Sequence, residues 1–255
     1  MRKVWSFFYV LWIIILLTTS MLVFIPYAFL RLMQFQRAAD AYLTTLTHGY
    51  GRLVFFSARV KLDIKGAENL PKEDRALVFV ANHQSITDVI VLKTVIPYPM
   101  GFMAKIELFR VPFVQVWLAG LRCIAIDRSN LRKSMEAIRK GSNRVASGYP
   151  MMIFPEGTRS RCNGMRAFKG GSLKLAEWAK GRIVPITLDG THRLIAKDGF
   201  GFGDTVTVTF HPPIDTSQLN REELKALPQK LWEIVNSGLK EPNAEVMAAK
   251  KLADS

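Results

Sequence analysis

Between Val4 and Leu30 the chain carries no charged residue. Its most apolar part, Val4 to Ile25 (VWSFFYVLWIIILLTTSMLVFI), would run about 33 Å as a helix at about 1.5 Å per residue, enough to match a hydrocarbon core about 30 Å thick. Such a run must be covered by lipid or by protein. A secretory signal is the competing reading, because Arg2 and Lys3 resemble its basic start. Its apolar core, however, is usually about 7 to 15 residues, and no A-x-A-like site follows here. Pro26 is placed to end or kink the helix.

A second periodic stretch follows. Leu32, Phe35, Ala39, Tyr42, Leu46, Tyr50 and Leu53 recur three or four residues apart, which describes one face of an amphipathic helix. Two placements fit this pair: a helix that crosses the bilayer, or two helices lying in one leaflet. The second helix equally suits packing on a globular body. Arg2 and Lys3 lie on one side of the apolar run and Arg31, Arg37, Arg52 and Arg59 on the other, so the positive-inside rule gives a cytoplasmic body only weak preference.

The remaining composition is that of a folded domain. The chain has 255 residues, 49% hydrophobic and 22% charged, which supplies apolar surface for a core and excludes a disordered polyelectrolyte. Its net charge of +14 is confined to two blocks, +5 over residues 1–60 and +9 over residues 101–170, with the rest balanced. Such an excess suits nucleic acid, anionic headgroups or phosphorylated small molecules, and composition does not choose among them. The two cysteines, Cys123 and Cys162, form no CxxC and have no histidine at ligand spacing. No metal site is expected; both thiols read as reduced, consistent with a cytosol-facing body.

Short β-rich runs recur at 58–64, 76–81, 101–105, 122–127, 151–155, 183–188 and 204–210. Helical patterns lie at 85–96, 112–119, 129–147, 171–180 and 218–237, the last with Ser217 or Asn220 as N-cap and Gly238 at its end. This alternation predicts an α/β fold, a mixed and mostly parallel sheet flanked by helices, with ligands at the carboxyl ends of the strands. The expected organisation is membrane-associated helices over 1–58, a domain over 59–240 and a charged, Ala-rich tail over 241–255.

The chemistry-bearing residues follow strands. After the second comes Asn82-His83-Gln84-Ser85-Ile86-Thr87-Asp88. On one continuous helix His83 and Asp88 would point about 140° apart, so they meet only across a strand-to-helix turn. Met there, imidazole is a base near neutral pH and the carboxylate its orienter. Ser85-x-x-Asp88 also fits a capping box. After the fifth strand comes Phe154-Pro155-Glu156-Gly157-Thr158-Arg159-Ser160-Arg161, where Gly157 permits close backbone approach and Arg159 offers a fork suited to phosphate. An ordinary basic turn has the same residues. Lys105-Ile106-Glu107-Leu108 and Arg128 stand at two further strand ends.

No G-x-S-x-G elbow or Walker A loop occurs, and the glycines of 199–203 do not join a strand to a helix. His48, His192 and His211 lack a telling partner and are read as structural.

Taken in order, Asn82-His83-x-Ser85-x-x-Asp88, Lys105-x-Glu107-Leu108-x-x-x-Pro112, Ile126-Asp127-Arg128, Phe154 to Ser160 and Val184-Pro185-Ile186 resemble the glycerolipid acyltransferase family, bacterial 1-acylglycerol-3-phosphate acyltransferases above all. The resemblance covers about residues 60–215. It implies transfer of an acyl group from acyl-CoA or acyl carrier protein to the sn-2 hydroxyl of lysophosphatidic acid, giving phosphatidic acid, with no cofactor and no covalent acyl-enzyme. By the same likeness His83 and Asp88 are catalytic. Glu156, Gly157, Thr158 and Arg159 form the acceptor site, and Arg159 with Lys105 holds the phosphate, a fork and a point charge. Arg128 is a further candidate for the site, and six residues before it Arg122 stands where the family usually has glycine. Backbone N–H groups of the turn after His83 are the expected oxyanion donors.

The resemblance also implies membrane lipids as partners and a place at the inner membrane with the catalytic domain on its cytoplasmic side. Other acceptors within the family, such as a lyso-ornithine lipid, another lysophospholipid or glycerol 3-phosphate, fit the same motifs. A noncatalytic anchored protein that binds nucleic acid fits the charge, but the chain shows no recognised nucleic-acid module or interleaved aromatics.

Overall fold

A computed structural model of the protein describes residues 2–72, 76–196 and 199–240. The tail expected over 241–255 lies outside the described residues.

The apolar run forms α1 (Arg2–Thr19) and, after a 3-10 turn over Ser20–Val23, α2 (Phe24–Leu32). Together they make an almost continuous rod, with Pro26 in the first turn of α2, where a proline costs no hydrogen bond. A tight turn leads into α3 (Gln36–Ser57).

The domain then proceeds through β1 (Lys61–Lys65), β2 (Leu77–Ala81), α4 (Asp88–Val95), β3 (Gly101–Lys105), α5 (Val114–Gly120), β4 (Ile124–Ile126), α6 (Leu131–Ala146) and β5 (Met151–Ile153). It continues through α7 (Gly170–Ala179), β6 (Arg182–Asp189), α8 (Thr191–Leu194), the short pair β7 (Ile195–Ala196) and β8 (Gly199–Phe200), β9 (Thr205–Phe210), β10 (Ile214–Asp215) and α9 (Arg221–Ser237). The main sheet runs β1-β9-β6-β2-β5-β3-β4, with β10 beside β6. Its pairs are parallel except β6 with β9 and β10 with β6.

β2 is buried along its whole length, which explains why Leu-Val-Phe-Val-Ala is an uninterrupted apolar run. Leu77, Phe79 and Ala81 face a core completed by α4, Phe55 of α3 and Tyr9 of α1. Val78 and Val80 face the opposite core under α6, α7 and α9. Both long outer helices start from side-chain caps. Asn130 Oδ1 accepts from Lys133 N at 3.0 Å, and Asn220 forms a reciprocal capping box with Glu223.

The face α3 buries differs from the apolar stripe read in the sequence. Its fully buried positions are Ala39, Leu43, Thr44, Thr47, Gly51 and Phe55, whereas Tyr42, Leu46 and Tyr50 are half-buried and Leu53 is exposed. The reason is close approach to α4: a Cβ on Gly51 would lie 1.8 Å from Thr94 Oγ1. Small residues set this contact, and an apolar count does not register them. The first strand also starts at Lys61 and not 58, because α3 and its closing turn occupy the chain through Ala58.

Candidate active site

β2, β3, β5 and β6 run parallel and side by side, so the segments leaving their carboxyl ends converge above one edge of the sheet. Asn82, immediately after β2, acts as one more rung: its Nδ2 donates to Leu188 O at 2.9 Å and its Oδ1 accepts from Leu188 N at 2.8 Å. The chain then turns sharply, and His83 and Asp88 meet across that turn.

Asp88 is 0% exposed, and its Oδ2 accepts three N–H groups: His83 Nδ1 at 2.7 Å, Gln84 N at 2.8 Å and Ser85 N at 2.9 Å. One carboxylate therefore closes the turn and orients the ring, so the capping and catalytic readings of Asp88 describe the same contacts. Because Nδ1 is committed to Asp88, Nε2 is the nitrogen left to take a proton. The ring lies flat on Phe154, with centroids 4.1 Å apart and planes at 15°.

The same contacts narrow one expectation. The N–H groups of Gln84 and Ser85 point at Asp88, and that of His83 donates to Glu156 Oε1 at 2.7 Å. These three are consumed in holding the dyad and are not free to bind an oxyanion; a turn closed by its own carboxylate leaves them no outward direction.

The segment after β5 is tied to His83 at both backbone atoms. Glu156 Oε1 receives the His83 N–H, its Oε2 receives Arg166 N–H at 2.9 Å, and Ser160 N donates to His83 O at 2.8 Å. Glu156 is only 2% exposed, and burial pushes its carboxyl up to about 8 against the two backbone donors. Its carboxylate points inward. Gly157 follows in the left-handed region at φ 73°, and its carbonyl accepts from Arg128 Nη1. Burial lowers the Arg128 pKa from its ordinary value.

Thr158 and Arg159 are exposed beyond Gly157. Lys105 ends β3 opposite Ile126 of β4, two residues from Arg128, and its Nζ pairs with Glu107 Oε1 at 2.9 Å. Thus His83, Asp88 and Glu156 are in direct contact through side chain or backbone, Gly157 with Arg128 forms the adjoining rim, and Lys105 and Arg159 flank it.

Three contributors had gone unremarked in the sequence. Lys169 Nζ lies beside Gly157, 3.0 Å from where a Cβ would stand, adding a cation to the rim. Its presence in the basic block of 101–170 was the only signal. Gln84 is a buried hub whose Oε1 accepts from Gly190 N at 3.0 Å and Thr191 Oγ1 at 3.2 Å, with His192 Nδ1 at 3.3 Å. Arg166 bonds Glu156 through its backbone N–H, which no side-chain pattern reveals, and its charge also favours the Glu156 carboxylate. Beneath Gly157, Arg128 and Lys169 a cavity of about 360 Å³ runs between apolar walls that include Met103, Ile126, Met135, Ile138 and Ile153. His48 and His211 bond Ile96 O at 2.6 Å and Thr187 Oγ1 at 2.8 Å, structural partners as expected. Among the described residues no group of three or more His, Cys, Asp or Glu is placed to hold a metal ion.

The chain matches the family model described as Acyltransferase over residues 61–189, which takes in half of its length. It is 32% identical over 177 residues to a 1-acyl-sn-glycerol-3-phosphate acyltransferase of Borreliella burgdorferi, covering 69% of this chain and 70% of that protein. A protein of the same name from Escherichia coli is 28% identical over 208 residues, 80% of this chain and 83% of the relative. The crystal structure of the 1-acyl-sn-glycerophosphate (LPA) acyltransferase PlsC from Thermotoga maritima superposes with a TM-score of 0.78 at 27% identity, covering 94% of this chain and 97% of that one. Sequence match, fold and the ordered motifs around His83 agree, and the chain belongs to the acyltransferase family.

Proposed function

We propose that the protein transfers a fatty acyl group from the thioester of acyl-CoA or acyl carrier protein to the sn-2 hydroxyl of 1-acyl-sn-glycerol 3-phosphate, forming phosphatidic acid. The observation that carries this reading is the His83 Nδ1 to Asp88 Oδ2 contact of 2.7 Å, in a chain whose relatives bear that activity in their names.

In the mechanism this geometry supports, His83 Nε2 removes the hydroxyl proton as the oxygen attacks the thioester carbonyl, and Asp88 stabilises the resulting imidazolium. The tetrahedral intermediate collapses by breaking the carbon–sulfur bond, and the departing thiolate takes the proton from Nε2. No acyl group is attached to the protein. Arg159 and Lys105 receive the acceptor's phosphate, with Thr158, Gly157 and Arg128 shaping the rim. Glu156 serves the acceptor site from beneath, by fixing the backbone of His83 and Arg166. The apolar cavity under Gly157 is suited to an acyl chain.

The apolar N-terminal helix is long enough to associate with a membrane: it covers 29 residues from Val4 to Leu32, and its most apolar 18-residue window has a mean hydropathy of 2.5. The division proposed is membrane-associated helices over 1–58 and a catalytic domain from 59, facing the cytoplasm at the inner membrane. Hydrogen bonds seat the rod on the domain along its length: Phe200 N donates to Ser6 Oγ at 2.8 Å, Trp117 Nε1 to Ser20 Oγ at 2.9 Å and Tyr27 to Gly120 O at 3.1 Å. Its outer face remains bare, with Trp5, Phe7, Leu22, Ile25 and Leu32 exposed. A rod bonded to the domain in this way favours residence in one leaflet over an upright span.

The test is a panel of acceptors and thioester donors with detergent-solubilised protein and its His83→Ala variant. Phosphatidic acid formation is expected from the wild type and is lost in the folded variant. Retained turnover in that variant refutes the mechanism, and a strong preference for an acceptor without phosphate refutes the roles of Arg159 and Lys105.

A further inference from the structure

At the other end of the parallel strands from His83, where the chain enters β3, β4 and β5, α2 and the start of α3 lie beside α5 and α6. Two hollows meet there. One, of about 910 Å³, lies between α2 and α5 and is walled chiefly by Phe24, Tyr27, Leu32, Phe109 and Val116. The other, of about 630 Å³, extends toward α6 and is lined by Arg31, Arg122, Lys140 and Arg144, with no acidic residue in its wall. Arg31 and Ala119 line both, so the hollows form one trough with an apolar half and a cationic half.

The cationic half is built. Arg122 holds φ at 53°, a conformation in which glycine would sit without strain. Its guanidinium reaches Asp40 at 2.8 Å and lies 4.7 Å above the Tyr149 ring. Arg144 donates to the carbonyl of Arg122, fixing a second cation against the first. Asp40 pairs with Arg122 and also attracts Arg31 electrostatically, while among the described residues Lys140 and Arg144 have no ion-pair partner. The apolar half opens at the bare face of the N-terminal rod, where Leu32 is 75% exposed. Hydrocarbon on one side and four cations on the other complement one class of molecule, a lipid with an anionic head.

We propose that this trough binds an anionic phospholipid of the surrounding membrane, an acyl chain lying between α2 and α5 and the phosphate among Arg31, Lys140 and Arg144. The inference rests on the rod lying in lipid and is independent of acyl transfer. Flotation with vesicles reads it without turnover, so failure here and failure of the proposed activity are separable. Wild-type protein is expected to bind vesicles of phosphatidylcholine mixed with phosphatidylglycerol more tightly than vesicles of phosphatidylcholine alone. The Arg31→Gln/Lys140→Gln variant is expected to lose about 25-fold on the mixed vesicles, each basic residue near an anionic surface adding about fivefold. Removing the same charge on α9, in Arg221→Gln/Lys225→Gln, is expected to change binding by less than about threefold, since those residues lie outside the trough. Equal losses in the two variants, or no preference in the wild type, overturn the proposal. Photocrosslinking wild-type protein with a diazirine-tailed phosphatidylglycerol decides it without any variant: label on α2 and α5 supports the site, and label absent from both refutes it.

Discussion

Replacing Asp88 by asparagine keeps the shape of the dyad and removes its charge. In the native protein Oδ2 accepts from His83 Nδ1, Gln84 N and Ser85 N at 2.7, 2.8 and 2.9 Å, while Oδ1 is buried with no hydrogen-bond partner among the described residues. The amide oxygen of asparagine can take the Oδ2 position and keep all three, with its NH2 where Oδ1 makes no bond. The fold should therefore survive, at a cost under about 2 kcal/mol for weaker, uncharged acceptors. The chemical step should not. When Nε2 takes the hydroxyl proton the ring becomes a cation, and at a charge separation of about 4 Å in an effective dielectric of about 20 the carboxylate stabilises it by about 4 kcal/mol. Losing that attraction lowers kcat about a thousandfold. The assay is initial-rate formation of phosphatidic acid at saturating donor, with acceptor varied; kcat is expected to fall with KM for the acceptor nearly unchanged, in protein whose melting temperature stays close to wild type. A folded Asp88→Asn variant with kcat within about tenfold of wild type would refute stabilisation of an imidazolium by Asp88. Asp88→Ala differs in kind, because it orphans the N–H groups of Gln84 and Ser85 at about 1–3 kcal/mol each and should lower the melting temperature as well.

Burial holds the Glu156 carboxyl at about 8, above its ordinary 4.5, so the native state keeps a proton that the unfolded chain sheds. Stability should fall as pH rises from about 4.5 to about 8, and Glu156→Gln should flatten that slope in denaturant midpoints taken across the window. Gly157→Ala places a side chain at φ 73° and 3.0 Å from Lys169 Nζ; a stability loss of about 1–2 kcal/mol together with reduced turnover is expected, read by thermal melts and the acyl-transfer assay. Lys93 is buried with no hydrogen-bond partner for Nζ among the described residues, and desolvation lowers it to about 8. Lys93→Met should raise stability by about 1–3 kcal/mol at neutral pH, and should remove the gain that the wild type shows as pH climbs from about 8 toward its ordinary 10.5, as measured by denaturant unfolding.

Much of this molecule is local, and what is local is legible. The strand at Gly101–Lys105 falls on its expected residues, and β2 and β6 differ from theirs by a residue at one or both ends. The stop to α9 came from Gly238, although its φ of −84° is ordinary; the tertiary reason for glycine is that a Cβ would press 2.5 Å from Thr187 Oγ1. The histidine and carboxylate five residues apart were readable because a strand-to-helix turn is the one local geometry that lets them meet.

By itself the sequence determined the alternation of strand and helix, the apolar rod, the two basic blocks and the positions of His83 and Asp88, since each depends on periodicity or on neighbours in the chain. The tertiary structure alone decided where those pieces touch. It turned Glu156 inward onto His83, spent the N–H groups of Gln84 and Ser85 on Asp88, and brought Lys169 beside Gly157. It gathered Arg31, Arg122, Lys140 and Arg144, drawn from across more than a hundred residues, into one wall. Direction and proximity between distant segments come from the order of strands in the sheet, and neither composition nor spacing encodes them in a form that can be read residue by residue.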